Sequence, residues 1–252
     1  MLHVSGIDFP FGRVTVSVHL LLESLAYTAG FLIYRRQKLL RGDVIGARER
    51  NTVLVAAIVG AAIGSKLLAW TGDPVLQLHQ PLSALLGGKA IVGGLLGGTL
   101  AVEFVKKRLA IAERTGDLFA IPLATAIAIG RVGCFLGGVA DRTYGTPTSL
   151  PWAVDFGDGI GRHPVQLYEV IFLGVLAWAL SRLDRGPHER GALYRLFLVS
   201  YLAWRVVIDF MKPEPAFAGL SAIQWACVAA LIFYARDTAR MFSARGRLAS
   251  NG

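Results

Sequence analysis

The sequence predicts an all-α, polytopic membrane protein with seven transmembrane helices, an N-terminus outside the cell and a cytoplasmic C-terminus. Three observations predict this fold class. Hydrophobic residues make up 54% of the 252 residues and the mean hydropathy is +0.52, which is too apolar for an ordinary soluble domain. Seven apolar segments approach the length of about 20 residues that a bilayer core requires. Basic residues gather after alternate segments.

The seven predicted spans follow one another along the whole chain. They cover residues 14–34, 52–70, 82–105, 118–139, 165–183, 192–211 and 219–235. No internal repeat is visible, so we expect a single integral-membrane domain over residues 1–252. The longest outer segment is a loop at about 140–164.

The orientation follows from the loops between the spans. Most of the 26 Lys and Arg residues follow the first, third, fifth and seventh spans, whereas the segment TGDPVLQLHQ after the second span has none. Cytoplasmic loops carry such an excess of basic residues. The net charge of +9 is therefore a consequence of topology, and we expect contact with anionic lipid rather than with nucleic acid.

No metal or cofactor is predicted. The five histidines show no ligand spacing. Cys134 and Cys227 both fall in apolar spans, where a buried thiol is the expected state.

Seven ionisable residues remain inside the predicted spans once the loops are subtracted. A charge at the bilayer centre costs at least about 2.5–3.5 kcal/mol, so these side chains should face the bundle interior and find partners. A helical rise of about 1.5 Å per residue places all seven in one layer between the midplane and the outer leaflet. They are the cations Lys66, Lys89, Arg131 and Arg205 and the anions Glu23, Glu169 and Asp209.

This layer has two interpretations. The cations exceed the anions by one, so the layer predicts a site for a phosphodiester headgroup, whose charge and geometry suit arginine. Alternatively, the cations and anions pair with each other as structural contacts, for example Arg205 with Asp209 at i+4. Because the layer contains two arginines, we favour the first interpretation.

Glycines in the same spans are spaced four residues apart. Such pairs are typical of helices that approach each other closely. They are Gly60/Gly64, Gly93/Gly97, Gly94/Gly98 and Gly133/Gly137.

The outer loop is rich in turn residues and is long for an unstructured connection, which is typical of functional loops. It reads ADRTYGTPTSLPWAVDFGDGIGRHP and leads into a span that opens with PVQLYE. His163 therefore stands directly before this span, and Gln166, Tyr168 and Glu169 lie in its first turns.

Five blocks of sequence carry a resemblance to a known family. They are GRVGCF at 130–135, LPWA at 150–153, RHPVQLYE at 162–169, YLAWRVVIDFMKPEP at 201–215, and GLS followed by QW at 219–225. Together they resemble the prolipoprotein diacylglyceryl transferase family. The resemblance implies a multi-pass enzyme of the bacterial inner membrane. Such an enzyme moves diacylglycerol from phosphatidylglycerol to the lipobox cysteine of a prolipoprotein, in the outer half of the membrane and without a cofactor.

The resemblance, the charged layer and the outer loop together give the expected site residues. Arg131 and Arg205 match arginines that bind the headgroup region, and Asp209 stands where the family usually has glutamate. The residues expected to bind substrate are Arg131, Gly133, Cys134, Tyr201, Lys66, Lys89, His163, Gln166 and Tyr168. The residues expected to act in catalysis are Arg205, Asp209, Glu23 and Glu169.

Four positions depart from the family pattern. Val92 replaces a histidine, Cys134 an asparagine, Val139 a glutamate and Glu23 a first-span tyrosine. If the family histidine deprotonates the acceptor thiol, another group must do so here.

We expect Glu23 to be this base, with Glu169, Asp141 or His163 as alternatives. The departures also leave two other functions open: a divergent family member that acts on another acceptor or lipid, and a non-catalytic membrane protein that binds lipid or lipoprotein.

Overall fold

A computed structural model describes residues 7–9, 12–14, 18–72, 89–141, 143–214 and 216–235. Seven α-helices lie within these ranges, one at each predicted span, so the mainly helical fold is confirmed, and the seven membrane spans stay a prediction. They are α1 (Val18–Arg41), α2 (Ala47–Gly72), α3 (Ile91–Arg108), α4 (Asp117–Gly137), α5 (Val165–Leu183), α6 (Ala192–Ile208) and α7 (Ala222–Ala235).

The described residues also form three short pairs of antiparallel strands that the sequence did not predict. Their strands are β1 (Ile7–Phe9) with β2 (Gly12–Val14), β3 (Val154–Asp155) with β4 (Gly161–Arg162), and β5 (Ala216–Phe217) with β6 (Leu220–Ser221). Two 3₁₀ turns, Gly138–Asp141 and Asp209–Met211, continue α4 and α6.

Three of the described helices, α2, α4 and α5, are long and apolar enough to cross a membrane, and α7 is a shorter apolar helix. Large apolar side chains on α2, such as Val55, Ile58 and Ile63, are exposed. This exposure is expected of a surface that faces lipid rather than water.

The predicted boundaries differ most at the first and third helices. α1 continues past residue 34 to Arg41, because hydropathy marks the apolar part of a helix, whereas the basic residues that follow are good helix formers and favour a helix C-terminus. α3 begins at Ile91, so Lys89 precedes the helix and is exposed, and its place inside a membrane span stays a prediction. Residues 82–88 of the predicted third span lie outside the described residues.

The chain divides into two compact units. Unit 1 comprises Met1–Gly42, Gly116–Glu189 and Met211–Pro213, and unit 2 comprises Asp43–Thr115, Arg190–Phe210 and Glu214–Gly252. A single domain over the whole chain stays a prediction.

In unit 1, α4 packs against both α1 and α5. Tyr34 of α1 stacks on Phe119 of α4, with ring centroids 4.9 Å apart. Arg41 at the end of α1 forms an ion pair with the carboxylate of Asp184, just after α5, and donates a hydrogen bond to its carbonyl. Burial raises the pKa of Asp184, and the Arg41 guanidinium opposes that rise.

In unit 2, α2 and α3 approach each other through glycine. A Cβ added to Gly64 would lie 2.3 Å from the Gly93 carbonyl oxygen, and one added to Gly97 would lie 2.4 Å from that of Gly60. No side chain fits at these distances, so the prediction of close approach at these glycine pairs is confirmed.

Unit 2 also contains a buried arginine that the sequence placed in a basic loop. Arg50 is completely buried. It donates to the carboxylate of Asp43 and, at 3.2 Å, to the carbonyl of Thr115. Its positive charge therefore stabilises the segment that leads into α2 and is not part of an exposed basic surface.

Candidate functional site

The two arginines predicted to bind a headgroup are both buried and both ion-paired. Arg131 lies in α4 and Glu169 in the first turns of α5, and their side chains are 6% and 1% exposed. Nε of Arg131 lies 2.9 Å from Oε2 of Glu169. This pair joins two helices of unit 1, because α4 and α5 pack side by side.

The second pair lies within one helix end of unit 2. Nη2 of Arg205, in the last turn of α6, lies 2.8 and 2.9 Å from the two carboxylate oxygens of Asp209. The two side chains are 3% and 0% exposed. The i+4 contact between these residues was one of the two interpretations of the sequence, and it is confirmed.

Both Arg131 and Arg205 therefore have a carboxylate partner, as the second interpretation of the charged layer expects. A charge in a low-dielectric interior is stable only when it is paired, so each guanidinium has a carboxylate beside it. Pairing does not prevent phosphate binding. A guanidinium is planar and has five N–H donors, and the carboxylate beside it fixes the plane in which these donors lie. The common layer of seven charges stays a prediction.

The other charges of that layer have different environments. Glu23 is not deeply buried: its side chain is 23% exposed, and its Oε1 accepts a 3.1 Å hydrogen bond from the Tyr27 hydroxyl. Its Oε2 lies 4.0 Å from Nε2 of His19. Lys66 is half-buried on α2, and Lys89 is exposed before α3.

The loop at 140–164 is anchored to the start of α5. The indole N–H of Trp152 donates a 2.7 Å hydrogen bond to the Tyr168 hydroxyl, which also lies 3.3 Å from Nδ1 of His163. The buried Gln166 donates to the Thr143 hydroxyl at 3.2 Å. His163, Gln166 and Tyr168 are thus brought together with the loop in unit 1, as the sequence block RHPVQLYE predicts.

The tip of this loop is a turn built around one carboxylate. Oδ1 of Asp155 accepts hydrogen bonds from the backbone N–H groups of Gly157, Asp158 and Gly159 at 2.8–3.0 Å. These donors, Gly157 first, hold the pKa of Asp155 below its ordinary value. Gly157 and Gly159 have positive φ angles of 106° and 76°, which explains why glycine occupies both positions.

Beside this turn, Arg162 connects the loop to its aromatic support. Its guanidinium pairs with Asp158, which lowers the pKa of that carboxyl group and raises the pKa of the arginine. The same guanidinium lies 4.7 Å from the ring centroid of Tyr144, and Phe156 packs edge-on against Phe135 of α4. The part of the predicted loop that the structure describes is therefore folded.

The positions that match or depart from the family pattern are placed as follows. Tyr201 is completely buried on α6 and stacks on Phe197, and Gly133 is buried on α4. Val92 is also completely buried, so this position is filled by an aliphatic side chain. Cys134 is half-buried and lies beside the Arg131 guanidinium and the Asp141 carboxylate.

Sequence reasoning missed His19, which lies at the start of α1. Nδ1 of His19 is 3.2 Å from Oδ1 of Asp141, and ligand atoms of His19, Cys134 and Asp141 all lie within 4.8 Å of one another. Ligand spacing in the sequence does not reveal this cluster, because its residues come from three separate segments. The i,i+4 placement of His19 and Glu23 on one helix face was the available signal.

Comparisons with known proteins bear on this arrangement. The family model for prolipoprotein diacylglyceryl transferase matches residues 7–236. A phosphatidylglycerol–prolipoprotein diacylglyceryl transferase from Polynucleobacter asymbioticus is 33% identical over 88% of this chain and 90% of its own length. Proteins with the same name are 32% identical in Cupriavidus metallidurans, over 79% of each chain, and 29% identical in Geobacter sulfurreducens, over 87% of this chain and 86% of the relative.

Proposed function

Because the chain belongs to the prolipoprotein diacylglyceryl transferase family, a family of transferases, we propose that it moves diacylglycerol from phosphatidylglycerol to the lipobox cysteine of a prolipoprotein. The observation that carries this proposal is the match over residues 7–236, which includes both buried arginine pairs. The names of these relatives give the two substrates.

The proposed setting is the bacterial inner membrane, with seven spans, an external N-terminus and a cytoplasmic C-terminus. Three helices of sufficient length and apolar composition support a membrane location. Basic residues in the last turns of α1, α3 and α5 support this orientation. In this orientation the 140–164 loop faces outward, where a translocated prolipoprotein arrives.

Arg131 and Arg205 are the proposed phosphate contacts. As the bond between the glycerol carbon and the phosphate oxygen breaks, negative charge grows on the leaving glycerol phosphate, and oriented cations stabilise that charge. Glu169 and Asp209 position these guanidinium groups in advance, so little reorganisation is needed during the reaction. The two acids therefore act through the arginines as positioning residues.

The remaining proposed contacts divide by location. His163, Gln166 and Tyr168 in unit 1 are joined to the loop by hydrogen bonds, and they are the proposed contacts for the incoming peptide or the headgroup glycerol. Gly133 and Cys134 follow Arg131 on α4. Tyr201, Lys66 and Lys89 are the proposed substrate contacts of unit 2.

Glu23 is the proposed acceptor of the thiol proton. It is half-buried, so it can exchange protons with solvent, and it lies beside His19. Glu169 is less suitable for this role because its carboxylate holds Arg131. His163 is less suitable because its Nδ1 faces the Tyr168 hydroxyl.

The reaction balances without a further reactant. The acceptor S–H bond breaks and its proton passes to Glu23. The sulfur forms a bond to the carbon of diacylglycerol that carries the phosphate. The carbon–oxygen bond to phosphate breaks, and glycerol phosphate leaves with that electron pair.

The test uses the purified chain with phosphatidylglycerol labelled in its acyl chains and a lipobox peptide. We expect the label to move to the peptide, and a matched peptide with serine in place of cysteine should receive none. Consumption of phosphatidylglycerol without labelling of the peptide would contradict the proposed acceptor. A folded preparation that leaves phosphatidylglycerol intact would contradict transfer and favour a protein that only binds lipid.

One observation favours a second candidate function. Val92, at the position of the family histidine, is completely buried, so no side chain there accepts a proton. A family member that acts on a different acceptor or lipid is consistent with this change. Transfer of label to a small-molecule thiol or alcohol, with none to the lipobox peptide, would support that candidate.

A further inference from the structure

His19, Cys134 and Asp141 bring an imidazole, a thiol and a carboxylate to one point of unit 1. Their ligand atoms lie within 4.8 Å of one another. The residues come from the start of α1, the end of α4 and the 3₁₀ turn that follows α4. Among the residues that the structure describes, this is the one group of three or more His, Cys, Asp or Glu side chains that converges in this way.

Two glycines allow the three segments to meet. A Cβ on Gly133 would lie 3.2 Å from Cβ of Leu22, in the turn of α1 that carries His19. A Cβ on Gly137 would lie 3.1 Å from Cβ of Asp141. The glycine pair flanks Cys134 on α4, so the same spacing that permits close packing also brings His19 and Asp141 to the thiol.

The contact between His19 and Asp141 is not a hydrogen bond. Nδ1 of His19 is shielded from solvent and has no hydrogen-bond partner among the described residues, although Oδ1 of Asp141 is only 3.2 Å away. Two ligands on adjacent corners of a zinc tetrahedron are separated by a similar distance, since metal–nitrogen and metal–oxygen bonds are about 2.0–2.2 Å. The geometry therefore fits two atoms that point toward a common third partner.

Neighbouring groups orient the cluster from outside. Oδ2 of Asp141 accepts a 2.7 Å hydrogen bond from Thr143, which in turn accepts from Gln166. Thus Oδ1 is the oxygen directed at His19. Nε2 of His19 faces Glu23 at 4.0 Å. Metal-binding carboxylates and histidines are commonly oriented by such outer contacts.

We propose that His19, Cys134 and Asp141 bind a thiophilic divalent metal ion of the Zn²⁺ class. Imidazole and thiolate select zinc-like ions over Mg²⁺ and Ca²⁺, which prefer oxygen ligands. Three protein ligands leave a fourth tetrahedral position open, as in catalytic zinc sites.

The open coordination position of the metal suits the thiol of the lipobox peptide. This role rests on the proposed transferase function. A thiol that coordinates such a metal is deprotonated. The S–H bond breaks, the proton passes to Glu23, and the sulfur keeps the electron pair with which it attacks the glycerol carbon. The metal would thereby supply the activation that the buried Val92 does not.

The direct test is titration of the purified full chain in detergent with Co²⁺, whose thiolate complexes show a charge-transfer absorption band. We expect one Co²⁺ per chain, displaced by Zn²⁺, with the band lost in Cys134→Ala and kept in the matched control Cys227→Ala. Absence of stoichiometric binding, or a band that survives Cys134→Ala, would overturn the site.

A second variant keeps all three ligands and tests the geometry. Thr143→Val removes the hydroxyl that orients Asp141, and metal affinity should fall about 10–100-fold. Unchanged affinity would contradict the assignment of Asp141 as a ligand.

The role of the open position has its own readout. Added lipobox peptide should strengthen the charge-transfer band, whereas the serine peptide should not, and this measurement needs no turnover. Equal spectra with both peptides would overturn thiol binding at the metal. Failure of diacylglyceryl transfer with an intact Co²⁺ site would contradict the proposed function and leave the metal site standing.

Discussion

The two buried arginine pairs use the same chemistry but are built differently. Arg205 and Asp209 are four residues apart at the end of α6, so the helix itself brings them together. Arg131 and Glu169 are far apart in sequence and meet only because α4 packs on α5. The first pair depends on local geometry and the second on tertiary structure, so substitutions should affect them differently.

The largest difference is expected when each carboxylate is removed. Glu169→Ala leaves Arg131 buried in the body of α4 without its carboxylate, which should lower the free energy of unfolding by about 3–5 kcal/mol. Asp209→Ala should cost less, because Arg205 lies in the last helical turn and its charge is favoured by the helix dipole, by up to about 2 kcal/mol. Equilibrium unfolding in detergent micelles measures both.

A double variant serves as the control for this comparison. Arg131→Met with Glu169→Leu replaces the buried pair with apolar side chains of similar size, and most of the lost stability should return. Equal costs for Glu169→Ala and Asp209→Ala, or a double variant no more stable than Glu169→Ala, would contradict the comparison.

A smaller effect is expected at the contact between α2 and α3. This contact joins two helices, and the four-residue spacing of glycines in the sequence predicts it. Gly64→Val places a side chain against the Gly93 carbonyl and should destabilise the α2–α3 contact by about 3 kcal/mol. The matched control is Gly174→Ala, because a Cβ at Gly174 of α5 meets nothing within 4 Å. This control should gain up to about 1 kcal/mol from helix propensity. A tolerated Gly64→Val would show that α2 and α3 pack differently.

These cases explain how much of the structure the sequence predicts. Apolar length predicts each helix, i,i+4 spacing predicts the Arg205–Asp209 pair, and four-residue glycine spacing predicts the α2–α3 contact. Each of these signals is local. The partner of Arg131 and the convergence of His19 with Asp141 depend on which helices are neighbours, and no local pattern encodes that choice. Counting charges gives one cation in excess but does not identify which cation has a partner, and packing supplies Arg131 with a carboxylate.

Conservative substitutions of Glu169 and Asp209 should further distinguish the two arginine pairs. Glu169→Asp shortens a side chain that must span a fixed distance between two helices, so the Arg131 contact should be lost at a cost of about 2 kcal/mol. Asp209→Glu keeps an i+4 acid that can still reach Arg205, and it should cost less. Thermal unfolding followed by circular dichroism ranks the two variants. A ranking in the opposite order would be evidence against the fixed spacing of α4 and α5.

The smallest effect concerns the loop tip, where the carboxylate of Asp155 is held by backbone donors rather than by an arginine. Its pKa is lowered in the folded chain, so its contribution to loop stability is present above its unfolded-state pKa and is lost as pH falls through the folded-state value. Backbone amide exchange at Gly157 and Gly159 should therefore become less protected at acid pH. Asp155→Asn, which keeps an acceptor without charge, should show a weaker pH dependence. The same dependence in both forms would contradict the role of the charge.

The central claim is that the oriented guanidinium forks of Arg131 and Arg205 stabilise the departing phosphate. Arg131→Lys and Arg205→Lys keep the positive charge and lose the planar fork, and Arg182→Lys at the exposed end of α5 is the matched control. The measurement is kcat/KM for transfer of labelled diacylglycerol to the lipobox peptide, with helical content checked for each variant. We predict a loss of about 10²-fold for each site variant and none for the control. Wild-type transfer by Arg131→Lys and Arg205→Lys would contradict the claim.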